Sequence, residues 1–166
     1  MKQLENIKII VDTREKENKN ILQYLSNKNI PYIRRKLDFG DYSYMIDDLS
    51  YENEFSIERK MSLTELSGNI AQYRDRFERE LQRAKESNAK LILLVENGSY
   101  DDILQHNYKT DLKEKSYIAS LFSFTHRYGL DINFIERKYA GLFIYHACYY
   151  HARERLKESE HETKNA

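Results

Sequence analysis

Between Lys90 and Glu96 the chain runs Lys-Leu-Ile-Leu-Leu-Val-Glu and is then closed by Asn97-Gly98. A run of apolar residues without polar alternation is a strand buried on both faces, and a sheet with one wet face cannot hold it. The segment therefore requires helices on each side and predicts an α/β layer fold with this strand at the centre of the sheet.

The flanking segments supply the other elements. Lys8-Ile9-Ile10-Val11 is a second apolar run, ended by Asp12, as in a buried strand whose C-terminal end opens onto a polar site. Ile21, Leu22 and Leu25 recur at helical spacing, and Asn29-Ile30-Pro31 stops that helix, so the opening reads β-α-β. Residues 32–60 are rich in Tyr, Phe and Ile around a polar patch at 47–53, the pattern of two antiparallel strands joined by a long hairpin loop. Residues 63–84 read as helical, with Ser62-Leu63-Thr64-Glu65 as a capping box and Gly68 as a local break. Residues 116–128 carry Ile118, Leu121, Phe122 and Phe124 on a helical face; 132–135 form a short last strand and 141–156 a closing helix. One domain is expected over residues 1–157, followed by a polar tail, 158–166, that frays.

Composition narrows the function classes. With 33% charged residues, 40% hydrophobic residues and a single Pro in 166 residues, neither a disordered linker nor a collagen-like repeat is compatible. Lys plus Arg and Asp plus Glu both number 27, so a nucleic-acid partner must be met by a local basic surface and not by a global field. Cys148 stands alone, which excludes an intrachain disulfide and a cysteine zinc cluster and reads as a buried apolar residue in a reducing compartment. The scattered His106, His126, His146 and His151 show no metal-ligand spacing. No apolar run reaches the length of a signal peptide core or a membrane span, so a soluble, intracellular protein is expected.

Acidic and basic residues concentrate at three strand ends: Val11-Asp12-Thr13-Arg14-Glu15, Asp38-Phe39-Gly40-Asp41-Tyr42 and Ile57-Glu58-Arg59-Lys60. A hairpin loop centred between Leu49 and Ser50 sets Asp41 directly opposite Glu58, within about 5.5 Å at Cα. Alternation then turns Glu58 and Lys60 to the face of Asp41, and Ile57 and Arg59 to the other. Two carboxylates facing across a ladder destabilise a bare sheet, and a cation between them converts that cost into a binding site. Oxygen-only ligands select Mg²⁺ or Mn²⁺. A lysine two residues beyond the carboxylate sets a compact charge where it can orient water and stabilise a pentavalent phosphate, the requirements of phosphodiester hydrolysis.

Together Val11-Asp12-x-Arg14-Glu15, Gly40-Asp41-Tyr42 and Glu58-Arg59-Lys60 resemble the nuclease domain of the XPF/excision-repair family of structure-specific endonucleases, with Arg74-x-Arg76-Phe77-x-Arg79-Glu80 in place of its arginine-bearing helix. The resemblance covers about residues 7–150. It implies the PD-(D/E)-x-K, restriction-endonuclease-like fold, with a central mixed sheet flanked by helices. It further implies a Mg²⁺ cofactor with Mn²⁺ as substitute, Asp41 and Glu58 as metal ligands and catalytic residues, and Lys60 as the catalytic lysine. Asp12 and Arg59 are implied as further catalytic residues, Asp12 also as a metal ligand, and Arg14 as a DNA contact. Two features depart from the family pattern. Its aspartate after Glu-Arg-Lys falls at Thr64, with Glu65 one position later, and no tandem helix-hairpin-helix module follows, which is closer to a free-standing bacterial or bacteriophage nuclease domain.

Candidate phosphate-contacting surfaces are the helix bearing Arg74, Arg76, Arg79, Arg83 and Lys85, where interleaved acids also allow i, i+4 ion pairs, and the strand carrying Arg34-Arg35-Lys36. Residues 142–150, apolar on nearly every helical face, ask for a second cover, and a homodimer through this helix is expected, with a thicker monomer core as the alternative. The reading is a metal-dependent endonuclease acting on branched, flap or fork DNA in the cytoplasm, at the nucleoid of a bacterial or phage-infected cell, with a recruiting protein as a further partner. Its rivals are a non-catalytic DNA-binding scaffold and a Holliday-junction or restriction-type nuclease.

Overall fold

In the computed structural model, which describes the backbone of residues 2–165 and the side chains of 4–159 and His161, the apolar run is strand β6 (Lys90–Glu96) and is buried on both faces. Leu91, Leu93 and Val95 point into one hydrophobic core and Ile92 and Leu94 into another. The two cores are separated by a mixed sheet of β1 (Ile7–Val11), β2 (Tyr32–Arg34), β3 (Tyr42–Ile46), β4 (Leu49–Ser50), β5 (Phe55–Lys60), β6 and β7 (Asp131–Ile135). The order is β2-β1-β3-β5-β6-β7, with β4 paired to β3. β1 is parallel to β2 and antiparallel to β3, β3 is antiparallel to β5, and β5, β6 and β7 run parallel. β3 and β5, not β6, hold the centre; β6 is one strand further out and escapes the edge because β7 covers it.

Six helices complete the layers: α1 (Lys19–Asn27), α2 (Leu63–Ile70), α3 (Arg74–Glu86), α4 (Tyr100–Leu104), α5 (Glu114–Tyr128) and α6 (Ala140–Asn165). On one face Ile21 and Leu25 of α1 and Ala140, Ile144, Cys148 and Ala152 of α6 bury Ile9, Val11, Tyr42, Tyr44 and Ile57 of the sheet. On the other, Leu66, Phe77, Leu81, Tyr117, Leu121 and Phe124 of α2, α3 and α5 close over Leu91, Leu93 and Val95. A free, buried Cys148 fits the expectation of a small apolar residue.

Four local expectations differ from the structure. The helix break lies three residues beyond Gly68: Gly68 is inside α2, and the Tyr73 N–H reaches back 3.0 Å to its carbonyl, a five-residue closure that ends one helix and starts the next. Phe122 is 53% exposed because the buried stripe of α5 is Tyr117, Leu121 and Phe124; it stacks on Tyr100 instead. α6 continues to Asn165, through the stretch expected to fray. The long hairpin loop is two turns. Asp47 and Asp48 make a tight one, Asp47 at φ 51°, pairing Ile46 with Leu49, and Tyr51 to Glu54 make a second that returns the chain as β5. Beyond it Tyr42 faces Ile57, which is the register expected for Asp41 and Glu58 even though the loop is not centred where that arithmetic placed it.

Candidate active site

The C-terminal ends of β1 and β5, the N-terminal end of β3 and the outer turns of α2 and α3 meet around an open cleft of about 590 Å³. Asp41, Glu58 and Lys60 line it together. Gly40 makes the entry turn at φ +72°, and a Cβ there would lie 2.1 Å from Ser56 Oγ, so the approach of this turn to β5 requires glycine. Asp41 then follows in a fixed place: its backbone N–H donates to Ile57 O at 2.8 Å, and its Oδ2 accepts from the Arg59 N–H at 2.8 Å. Glu58 is 4% exposed and accepts from Lys60 Nζ at 2.6 Å.

Half-buried Asp41 before β3 and buried Glu58 and Lys60 of β5 set the electrostatics. Burial and the neighbouring Glu58 and Glu15 carboxylates push the Asp41 carboxyl well above its usual range. Burial works against the Lys60 ammonium, but Glu58, through charge and hydrogen bond, and then Asp41 outweigh it, so Lys60 titrates above its ordinary value and stays charged at neutral pH. The ring of Phe77 lies 5.1 Å beneath that ammonium.

Arg59 points the other way, as strand alternation demands. Its guanidinium binds Glu96 twice, at 2.7 and 3.0 Å, and Glu15 at 2.6 Å, with Arg59 1% and Glu96 0% exposed at their side chains. It is a strut tying β5 to β6 and to the loop after β1. Asp12 is placed apart from Asp41, Glu58 and Lys60. It is fully buried, does not line the cleft, and its carboxylate is engaged by Arg14 Nε at 2.8 Å, by Arg14 N–H at 2.7 Å and by Leu37 N–H at 2.6 Å. Burial alone would raise its pKa; these hydrogen bonds prevail and lower it. Asp12 therefore orients Arg14, which does line the cleft and is half exposed there.

The expected DNA contacts divide. Arg76 lines the cleft, exposed. Arg74 is taken up by Glu78 at 2.7 Å, by Ser120 at 3.0 Å and by the face of Phe124, so the i, i+4 reading holds for it. Arg34 binds Glu15 O, and Arg35 pairs with Glu52 at 2.5 Å; neither lines the cleft. Glu65 caps α2, its N–H donating to Ser62 Oγ at 3.1 Å and its Oε2 accepting from Met61 N–H at 2.7 Å, and it lines the cleft as well. Thr64, at the family aspartate's position, accepts from Lys109 N–H at 3.0 Å.

Sequence reasoning missed two acids. Glu80 of α3 lines the cleft and accepts from Gly40 N–H at 2.9 Å; burial, then the charge of Glu58, push it up to about 7. Its signal is positional, three residues after buried Phe77 and four before buried Ala84, a place on the inner face where a carboxylate needs a reason. Glu96, the last residue of the apolar run, is the buried counter-charge of Arg59, and the unpaired sign at position 59 on a core-facing strand was the clue.

A divalent ion fits the chemistry of this donor set. Asp41 and Glu58 offer only oxygens, and their mutual repulsion is relieved by a cation. Among the described residues no group of three or more His, Cys, Asp or Glu is arranged to hold a metal alone, and Mg²⁺ characteristically takes one or two carboxylates with water and substrate oxygens completing its shell.

The profile of the ERCC4 domain matches residues 11–146, which contain every residue of this cleft. The chain belongs to the ERCC4-domain family. Its fold is similar to that of XPF from Aeropyrum pernix, at a TM-score of 0.67 and 20% identity over 92% of this chain and 69% of that one. The structure of XPF from Aeropyrum pernix in complex with DNA is similar too, at a TM-score of 0.66 and 20% identity over 89% of this chain and 66% of that one. No curated protein matches the chain. In this ERCC4 domain the mixed sheet flanked by helices is the PD-(D/E)-x-K nuclease arrangement expected from the three strand-end motifs.

Proposed function

We propose that this ERCC4 domain is a divalent-metal-dependent DNA endonuclease acting on branched, flap or fork DNA. The observation that carries the reading is the placement of Asp41 and Glu58 across the β3–β5 register in one cleft, with Lys60 bound to Glu58. Asp41 and Glu58 would hold the ion, which would supply Lewis-acid polarisation of the scissile phosphate. Lys60, charged at neutral pH, donates to water or to a phosphate oxygen and neutralises charge that develops on it. Arg14 and Arg76, more exposed than the carboxylates, bind the flanking phosphates and set the register of the strand. The DNA complex of the Aeropyrum pernix protein supports the choice of polymer.

The reading includes a homodimer. Phe143, Tyr145 and Tyr149 already pack on the first core of their own chain, so the surface that α6 leaves for a second copy is around the exposed His146 and Tyr150.

A panel of labelled flap, fork, nicked and four-way DNAs, with Mg²⁺, with Mn²⁺ and with a chelator, tests the activity. Asp41→Asn with Glu58→Gln should abolish cleavage, and Lys60→Ala should reduce it by about 100-fold or more while DNA affinity in chelator changes less than about threefold. Cleavage by the double variant at the wild-type rate would remove the site; a parallel loss of rate and affinity in Lys60→Ala would make Lys60 a binding residue only.

A further inference from the structure

The break between α2 and α3 does more than redirect a helix. It sets Tyr73 at the rim of the catalytic cleft with 52% of its surface exposed. Its backbone is held on both sides, by its N–H on Gly68 O at 3.0 Å and by its carbonyl accepting from Phe77 N–H at 3.1 Å. On its far side a second groove, of about 310 Å³, is lined by Gln72, Tyr73, Arg76 and Arg79 together with Ala71, Arg74 and Asp75, so its three arginines outnumber its one acid. Gln72, Tyr73 and Arg76 thus line both grooves, and Tyr73 stands where they meet. Arg76 makes no hydrogen bond or ion pair among the described residues, and the Arg79 contact that exists is through its backbone carbonyl.

An exposed aromatic ring on a rigid backbone with free guanidinium groups beside it is the combination that holds single-stranded nucleic acid: the ring stacks on a base and the cations track the phosphates. A base inside a continuous duplex has both faces covered by its neighbours and offers none for such a stack. We infer that Tyr73 stacks on the first unpaired base beside the scissile phosphate, with Arg76 and Arg79 carrying the unpaired DNA strand away through the second groove. This rests on the endonuclease reading and deepens it, because it makes Tyr73 the residue that tells a junction from continuous duplex.

Binding in chelator separates the two. The full chain is titrated with a splayed-arm DNA and with a fully paired duplex of the same length, each carrying 2-aminopurine at the position of the first unpaired base. Tyr73→Ala should weaken binding to the splayed-arm DNA about tenfold and to the duplex less than twofold, and should lose the quenching of 2-aminopurine seen with the wild type. Tyr73→Phe keeps the ring and should match the wild type on both DNAs. Equal losses on the two DNAs, or unchanged quenching by a folded Tyr73→Ala protein that still prefers the splayed arm, overturn the role of Tyr73 and leave the endonuclease reading standing. Failure of the wild type to bind either DNA overturns both.

Discussion

Replacing Gly40 by Ala tests whether the turn that carries Asp41 is built by steric exclusion. At φ +72° an L residue incurs about 1–2 kcal/mol of left-handed strain. The added Cβ also meets Ser56 Oγ at 2.1 Å, Ser56 Cβ at 3.0 Å and Ile57 O at 3.2 Å, an overlap inside a packed sheet of the kind that costs about 1–3 kcal/mol. A total near 3 kcal/mol is expected, read as a lower urea midpoint in metal-free buffer. The Ser56 hydroxyl has its own role: it is buried and lies 3.0 Å from both Phe39 O and Tyr42 O, so Ser56→Ala alone should cost about 1 kcal/mol. In the Ser56→Ala background the hydroxyl is gone and the worst overlap with it, so the same Gly40→Ala change should cost about 1.5 kcal/mol less. If the two substitutions add within about 0.5 kcal/mol, the clash with Ser56 is not what reserves this position for glycine, and strain alone must carry the argument.

Glu80→Gln should stabilise the metal-free protein in a pH-dependent way. The folded-state pKa is raised, from 4.5 to about 7, so folding is favoured while Glu80 is protonated and loses that contribution as pH rises through 7; the variant, which keeps the acceptor for Gly40, should gain up to about 3 kcal/mol over wild type at pH 8 and almost nothing at pH 4. Urea midpoints that differ equally at both pH values would contradict it. Arg59→Ala should cost about 3 kcal/mol, because it leaves the fully buried Glu96 carboxylate with only the longer contact to Arg137 at 3.7 Å, and adding Glu96→Gln should recover part of that loss in the same assay. No recovery would mean that packing, not charge, holds this strut.

The architecture was legible wherever one local pattern had one solution. The doubly buried β6 demanded two helical layers, and the Asp41–Glu58 pairing followed from strand alternation. The register came out right although the loop around it did not, because the Tyr51–Glu54 turn inserts residues between two pairings that each obey hairpin geometry. What stayed hidden depends on tertiary closure. Nothing in the spacing of Glu80 says that α3 crosses the Gly40 turn, and nothing around Asp12 says that Leu37 N–H will reach its carboxylate and turn it from the cleft toward Arg14. Arg74 and Arg76 look equivalent in sequence; a step of two residues, about 200° around the helix, gives Glu78 and Ser120 to the first and the open cleft to the second.

The three residues Glu58, Arg59 and Lys60 show how a strand end can carry charge in a sheet interior. All are under a tenth exposed, and lone ions so placed would each cost several kcal/mol. Alternation resolves the conflict by sending neighbours in opposite directions. Glu58 and Lys60 satisfy one another in the cleft, while Arg59 crosses to Glu96 of β6 and Glu15 beyond β1. Its backbone N–H, which belongs to neither side, is left for Asp41 of the adjoining turn. Glu58 and Lys60 are thus neutralised within β5 itself, whereas the partner set of Arg59 is complete only when β5 has paired with β6 and the loop after β1 is in place. The cost of burying Arg59 is met only in the folded sheet, so the sheet and this side of the cleft assemble together. The same sheet sets Asp41 and Glu58 across the β3–β5 register, where burial and the charges of Glu58 and Glu15 raise the Asp41 carboxyl, a cost that the proposed cation would relieve.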